Sequence, residues 1–216
     1  MYECEMRYHT FKTSHNRSLL IGDSQVKHLI YPEVNILSLP GAKVEDVHRF
    51  LPAPGRYEVI ALLIGGNNLY NGYLPSNSTI QEVVDEIVDL ANTLFEFAEK
   101  IYVFGIPPRW PPESELEQFK AKYQDHELFR HFTVNKRLSE ESEKYLWSFR
   151  GISDAVWSRT QLSDNDNVHI NDKGKGNIVS LIKNKVLYTK KTASDNHPKE
   201  FECTRYTGCR CGSFSG

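Results

Sequence analysis

Short apolar runs alternate along the chain with longer stretches in which apolar residues recur every three or four positions. That alternation predicts a parallel sheet with helices packed against it. Five strands are expected: "SLLIG" at 18–22, "VNILSLPG" at 34–41, "YEVIALLIGG" at 57–66, "KIYVFGIP" at 100–107, and a weaker one in "YLWSFRGI" at 145–152. The third is the longest and most apolar, which places it centrally, where both faces are covered. A short helix is expected over 44–51. A long amphipathic one is expected over 79–100, with Ile80, Val83, Val84, Ile87, Leu90, Ala91 and Leu94 on one face. A helical pattern over 115–144 breaks near Gln124, Asp125 and His126, and a last helix starts at the cap pair Asn171-Asp172 and carries Ile178, Val179, Leu181, Ile182 and Val186. After Gly22-Asp23-Ser24 the chain also reads as the start of a helix, with Ser24 or Asp23 as its cap. The fold class is therefore α/β: a flavodoxin-like α/β/α sandwich with a central parallel sheet of about five strands.

The periodic part runs from 17 to 188, and this is the expected domain; 1–16 is an N-terminal extension and 189–216 a polar, cysteine-containing tail without period. A chain of 216 residues suffices for one well-packed domain and is too short for two full-sized ones. Hydrophobic residues at 39% and aromatic residues at 12% argue for a packed core, and the net charge of −2 offers no broad basic face for nucleic acid or an anionic membrane. No apolar run approaches the roughly 20 residues of a membrane span. The first residues lack the apolar centre of a signal peptide, so an intracellular, cytoplasmic protein is expected, and the triplets at Asn16 and Asn77 carry no glycosylation meaning. The four cysteines, Cys4, Cys203, Cys209 and Cys211, stand outside the expected core and form no disulfide framework. The spacing of the last three fits no familiar zinc site, and neither metal nor cofactor is expected.

Ligands of open parallel sheets bind outside the carboxyl ends of the strands. Strand one delivers Gly22-Asp23-Ser24 to that rim, strand two Pro40-Gly41-Ala42, and strand three Gly65-Gly66-Asn67-Asn68; before the last helix stands "DNDNVHIND", with Asp166 three residues ahead of His169. These are the parts acyl transfer needs. A serine hydroxyl is a weak nucleophile until an imidazole takes its proton, and the imidazole needs a carboxylate to fix its tautomer. Charge developing on the attacked carbonyl needs donors fixed in advance: the N–H groups of Ser24 and Gly41 and the side-chain amide of Asn67.

The blocks "IGDSQ", "LPGAK", "IGGNN" and "DNVHINDKG" resemble, in order and spacing, the four motifs of the SGNH (GDSL-like) hydrolases, and the resemblance covers about residues 17–188. It implies a catalytic triad of Ser24, His169 and Asp166 and an oxyanion hole of Ser24, Gly41 and Asn67. Asp164 is the rival acid, and the family spacing favours Asp166. Two positions depart from the family pattern: Asn68 stands where an aspartate is usual, and Ile170 where a proline often follows the histidine. The phrases "PGAKVEDV" and "VHINDKGKGNIV" further resemble esterase modules in the first reading frame of LINE-type retrotransposons.

The expected activity is thus ester hydrolysis on a small acyl-ester or lipid substrate. Asn68, Tyr70, Arg109 and Trp110 are candidates for the substrate-binding walls, the last two from the proline-stiffened loop "GIPPRWPPESE". His28, His48, His126, His131 and His197 read as surface histidines, and Asp23 as a residue that holds its turn. The alternative is a binding module for RNA, lipid or protein on the same fold, which a local patch of Lys173, Lys175, Lys183, Lys185, Lys190 and Lys191 would serve. Members of the superfamily that became binding modules have generally lost the serine or the histidine, and this sequence keeps both. Oligomeric state is not legible.

Overall fold

The computed structural model describes residues 17–27, 29, 34–51, 57–123, 127, 129–151 and 168–182. Among the described residues the strands are β1 (Ser18–Gly22), β2 (Asn35–Ser38), β3 (Tyr57–Leu63), β4 (Tyr70–Asn71), β5 (Leu74–Pro75), β6 (Ala98–Phe104) and β7 (Ser148–Arg150). The helices are α1 (Val44–Val47), α2 (Gly66–Leu69), α3 (Ile80–Thr93), α4 (Leu116–Lys122), α5 (Arg130–Ser142) and α6 (Asp172–Ile182). Five strands form one sheet in the order β2-β1-β3-β6-β7, with every neighbouring pair parallel. The longest apolar run, β3, is the middle strand, as its composition predicts. β4 and β5 pair antiparallel as a small separate hairpin.

Alternate residues of each central strand go to opposite faces of the sheet. Leu19 and Ile21 of β1, Ile60 and Leu62 of β3, and Ile101 and Val103 of β6 join one core. The same core holds Val83, Val84, Ile87, Leu90 and Ala91 of α3 and Val134 and Leu138 of α5. Leu20, Ala61, Leu63, Tyr102 and Phe104 face the other way and meet Val26, Val34, Ile170 and Ile178. Each aliphatic side chain so buried contributes about 1.5–3 kcal/mol, which is why strands covered on both sides read as unbroken apolar runs.

Element limits move by a few residues from the sequence-based expectation, for local reasons. Helix α3 starts after a capping box: Glu82 N–H donates to Thr79 Oγ1 at 3.1 Å, and Thr79 N–H donates to Glu82 Oε2 at 2.7 Å. It ends at Thr93, and a 3-10 turn, Leu94–Glu96, leads into β6, so Ala98, Glu99 and Lys100 belong to the strand and not to the helix. The pattern over 115–144 is split between α4 and α5. Tyr123 after α4 is extended, and 124–126 lie outside the described residues. At the last helix Asn171 is the cap, its Oδ1 accepting Gly174 N–H at 3.0 Å, and Asp172 is the first helical residue. No helix among the described residues is long and apolar enough to cross a membrane.

Candidate active site

Strand β1 ends level with Ser38 of β2 and Leu63 of β3, at the rim where all three strands finish. Gly22 has no alternative there: a Cβ would stand 2.7 Å from the Leu63 carbonyl oxygen and 2.6 Å from the Val26 side chain. The chain then closes a single 3-10 turn, Ser24–Val26, and leaves it at Lys27 in extended conformation. Of the helix expected after Ser24, the described residues show one turn, which ends where the backbone straightens at Lys27 after the buried Val26; 28 and 30–33 lie outside the described residues. Asp23 is the cap, its Oδ1 accepting Gln25 N–H at 2.9 Å. That relieves Ser24 of the capping role. Its hydroxyl lies instead 2.9 Å from Nε2 of His169.

The second strand end supplies the turn 39–42, in which Ala42 N–H donates to the Leu39 carbonyl at 3.0 Å. Pro40 and Gly41 hold its two central positions, and Gly41 has φ +79°, the left-handed conformation that such a turn gives to glycine. Leu39 N–H donates to the Gly22 carbonyl at 2.8 Å, which ties this turn to the base of the Ser24 turn.

Asn67, on α2 directly after β3, completes the rim. Its Nδ2 donates to the Ala42 carbonyl at 2.9 Å, and its Oδ1 accepts from Nη2 of Arg109 at 2.9 Å. The amide is thereby oriented without ambiguity, with its oxygen toward Arg109 and one of its two N–H bonds on Ala42. Arg109 is only 3% exposed; Nη1 donates to the Gly72 carbonyl at 3.1 Å, and Nη2 lies 4.0 Å from Oδ2 of Asp23. It lies over Gly66, where a Cβ would come within 2.7 Å of Nη2. Burial pushes the Asp23 carboxyl above its ordinary range; the Gln25 N–H, the Arg109 guanidinium and the charge of His169 pull the other way. Arg109 thus pairs with a buried carboxyl under the Ser24 turn while holding the amide of Asn67.

His169 stands between Val168 and Ile170, two residues before the cap of α6. Ile170 is 2% exposed and packs beside Ile178 of that helix. The Gln25 carboxamide reaches this segment, donating to the Val168 carbonyl at 2.8 Å and accepting from Ile170 N–H at 3.1 Å. Asp166 and Asp164, the two candidate acids, lie outside the described residues, as do Cys4, Cys203, Cys209, Cys211 and the residues after Ile182.

The residues expected to form substrate walls are placed differently. Asn68 is buried; its Oδ1 accepts Val44 N–H at 3.0 Å, and its Nδ2 donates to Glu86 at 2.6 Å and Glu45 at 3.1 Å. It serves as a brace between α1, α2 and α3 in the position where an aspartate is usual. Tyr70 is likewise buried, its hydroxyl 3.2 Å from Nδ1 of His131. Arg109 belongs to the buried network described above, so none of these three offers a wall. Trp110 is half-buried, edge-on to Phe129 with ring centroids 5.9 Å apart. His131, expected at the surface, is 1% exposed, and burial holds its pKa down to about 4. A histidine on the inner face of α5, three residues before Val134, carries the core period and could have been read that way.

Sequence reasoning singled out Arg109 for a different role and passed over Gln25. A lone charged residue inside "PPRWPP" and a carboxamide directly after Ser24 were the available signals. No protein-family model and no curated protein matches the sequence. Solved structures do match in fold. A GDSL-like lipase from Bacteroides thetaiotaomicron superposes with a TM-score of 0.60 at 14% identity, covering 81% of this chain and 89% of its own. A lipase/acylhydrolase from Enterococcus faecalis gives 0.59 at 13% identity, over 83% and 100% of the two chains. An acetylxylan esterase from Geobacillus stearothermophilus gives 0.56 at 13% identity, over 79% and 94%. The chain has the fold of the SGNH (GDSL-like) hydrolases.

Proposed function

We propose that this protein is a serine esterase that hydrolyses acyl esters through Ser24, His169 and Asp166. The observation that carries the reading is the 2.9 Å approach of His169 Nε2 to Ser24 Oγ, made between residues 145 positions apart in sequence. Neutral Nε2 accepts the hydroxyl proton as Oγ attacks the ester carbonyl carbon. The oxygen of the tetrahedral intermediate takes its donors from Ser24 N–H, Gly41 N–H and the second N–H of Asn67 Nδ2. The imidazolium then returns the proton to the departing alkoxide, leaving an acyl-serine. Water, deprotonated by the same nitrogen, releases the acid and restores the serine. For Nε2 to accept, Nδ1 must carry the other ring proton, and we assign its acceptor to Asp166, with Asp164 as the rival. Trp110, half-buried beside the Arg109 that holds Asn67, is our candidate for the substrate wall.

Structural neighbours that are lipases, acylhydrolases and an acetylxylan esterase support ester hydrolysis as the reaction class. The test is turnover of p-nitrophenyl esters of graded acyl length. The wild type should release p-nitrophenol, with Ser24→Ala and His169→Asn reduced to the uncatalysed rate. No turnover by wild type, or equal turnover by Ser24→Ala, would refute the assignment.

A further inference from the structure

Gln25 bonds the backbone on both sides of His169. Its Nε2 donates to the carbonyl of the residue before, and its Oε1 accepts the N–H of the residue after. The side chain is 2% exposed; its bond from Ile170 N–H is buried and its bond to the Val168 carbonyl partly so. One acceptor and one donor at this spacing do for the segment 168–170 what a neighbouring strand's backbone does in a sheet. Gln25 is in turn fixed by its own N–H on Asp23 Oδ1, and Asp23 pairs with Arg109. Contacts therefore run without a break from the residue that holds Asn67, through the turn that presents Ser24, to the segment that presents His169.

We infer that Gln25 is a positioning residue, which keeps the His169 imidazole in register with Ser24 Oγ by clamping the backbone on either side of it. This rests on the assignment of Ser24 and His169 as nucleophile and base. Adjacency gives the device its point: Gln25 directly follows Ser24, so displacement of the nucleophile's turn carries the base with it and the distance between the two is kept. Only a carboxamide of this length fits the role. Leucine fills the same space but makes neither bond. Glutamate can accept from Ile170 but, ionised, sets a carboxylate oxygen against the Val168 carbonyl. Asparagine is shorter by one methylene.

The test compares Gln25→Leu and Gln25→Glu with Asn135→Leu. Asn135 makes a similar two-point bond, to Ile106 N–H at 2.8 Å and the Ile106 carbonyl at 3.0 Å, so it controls for the general loss of a carboxamide bonded at two points. Two quantities are read: the rate of fluorophosphonate labelling across pH, and the ring-nitrogen NMR spectrum of His169 in protein labelled with ¹⁵N-histidine. Gln25→Leu should label about 10- to 100-fold more slowly at every pH with the profile's midpoint unmoved, since geometry is lost and not proton affinity. Its His169 signals should shift or broaden relative to wild type. Gln25→Glu, which keeps one bond but sets a carboxylate against the Val168 carbonyl, should also label more slowly than wild type, and Asn135→Leu should label like wild type. Labelling of folded Gln25→Leu within twofold of wild type, with unchanged His169 signals, overturns the clamp and leaves the esterase reading intact. If the wild type itself is not labelled, the esterase reading fails. The His169 spectrum then decides the clamp alone: altered signals in either Gln25 variant uphold it, and unchanged ones refute it. Should Gln25→Leu fail to fold, Gln25→Glu decides by the same two measurements.

Discussion

Two bonds hold the Asn67 carboxamide, one to the Ala42 carbonyl and one from Arg109, and they make its catalytic assignment a sharp one. If its second N–H steadies the oxyanion, Asn67→Ala should lower kcat about 10²- to 10³-fold while KM moves little. Arg109→Met should produce a smaller fall in kcat of the same kind, because the amide keeps its chemistry and loses its orientation. It should also destabilise the fold by leaving Asp23 buried without its partner. Steady-state kinetics with a p-nitrophenyl ester separate the two patterns; a change confined to KM in Asn67→Ala would remove it from the oxyanion hole. The candidate residues Ser24, Gly41, Asn67 and His169 could be found in the sequence because each stands at a strand end or just ahead of a helix, where a polar residue interrupts an apolar run. Arg109 could be seen but not understood, since an arginine between prolines looks like surface until the fold brings Asn67, Gly72 and Asp23 around it. Gln25 gave still less to read, because both its partners are main-chain groups 143 and 145 residues away.

The strands were legible as elements and the connections between them less so. β1 coincides with the apolar run "SLLIG", and β3 begins where its run begins, because burial on both faces makes nearly every position apolar. The step from β1 into its turn is the point where element and site share one constraint. Gly22→Ala would drive a methyl against the Leu63 carbonyl and the Val26 side chain. Overpacking of this kind costs about 1–3 kcal/mol, and here the shift also reaches Asp23 and Ser24. A lower denaturation midpoint together with slower fluorophosphonate labelling is expected; unchanged stability would show that the turn tolerates a side chain and that its glycine answers some other need. Among the described residues the helix expected after Ser24 is a single 3-10 turn, and the β4–β5 hairpin was not anticipated. Both depend on tertiary contacts: Val26 held in the core, and the guanidinium of Arg130 bonded to the carbonyls of Leu69, Ser76 and Ser78.

Across the whole molecule the central place of β3 and the two cores follow from the pattern of apolar residues, whereas the buried polar groups of α5 do not. His131 takes a proton in the unfolded chain near its ordinary value of 6.5, and in the folded protein only near 4. Between those values the unfolded state binds more protons, so stability present above pH 6.5 is lost as pH falls toward 4, by about 3 kcal/mol. Asp23, raised by burial, works in the opposite direction over the carboxylate range. Chemical denaturation at a series of pH values should show the fall, and His131→Gln should flatten it; a variant with the wild-type slope would assign the loss to other groups. The central claim is that the Ser24–His169 pair is a working nucleophile and base. The most direct measurement is peptide-mapping mass spectrometry of the protein after treatment with a fluorophosphonate. A single adduct on Ser24 that disappears in His169→Asn, with the variant still folded, is the result expected. No adduct on wild-type Ser24, or one formed equally fast without His169, would contradict it.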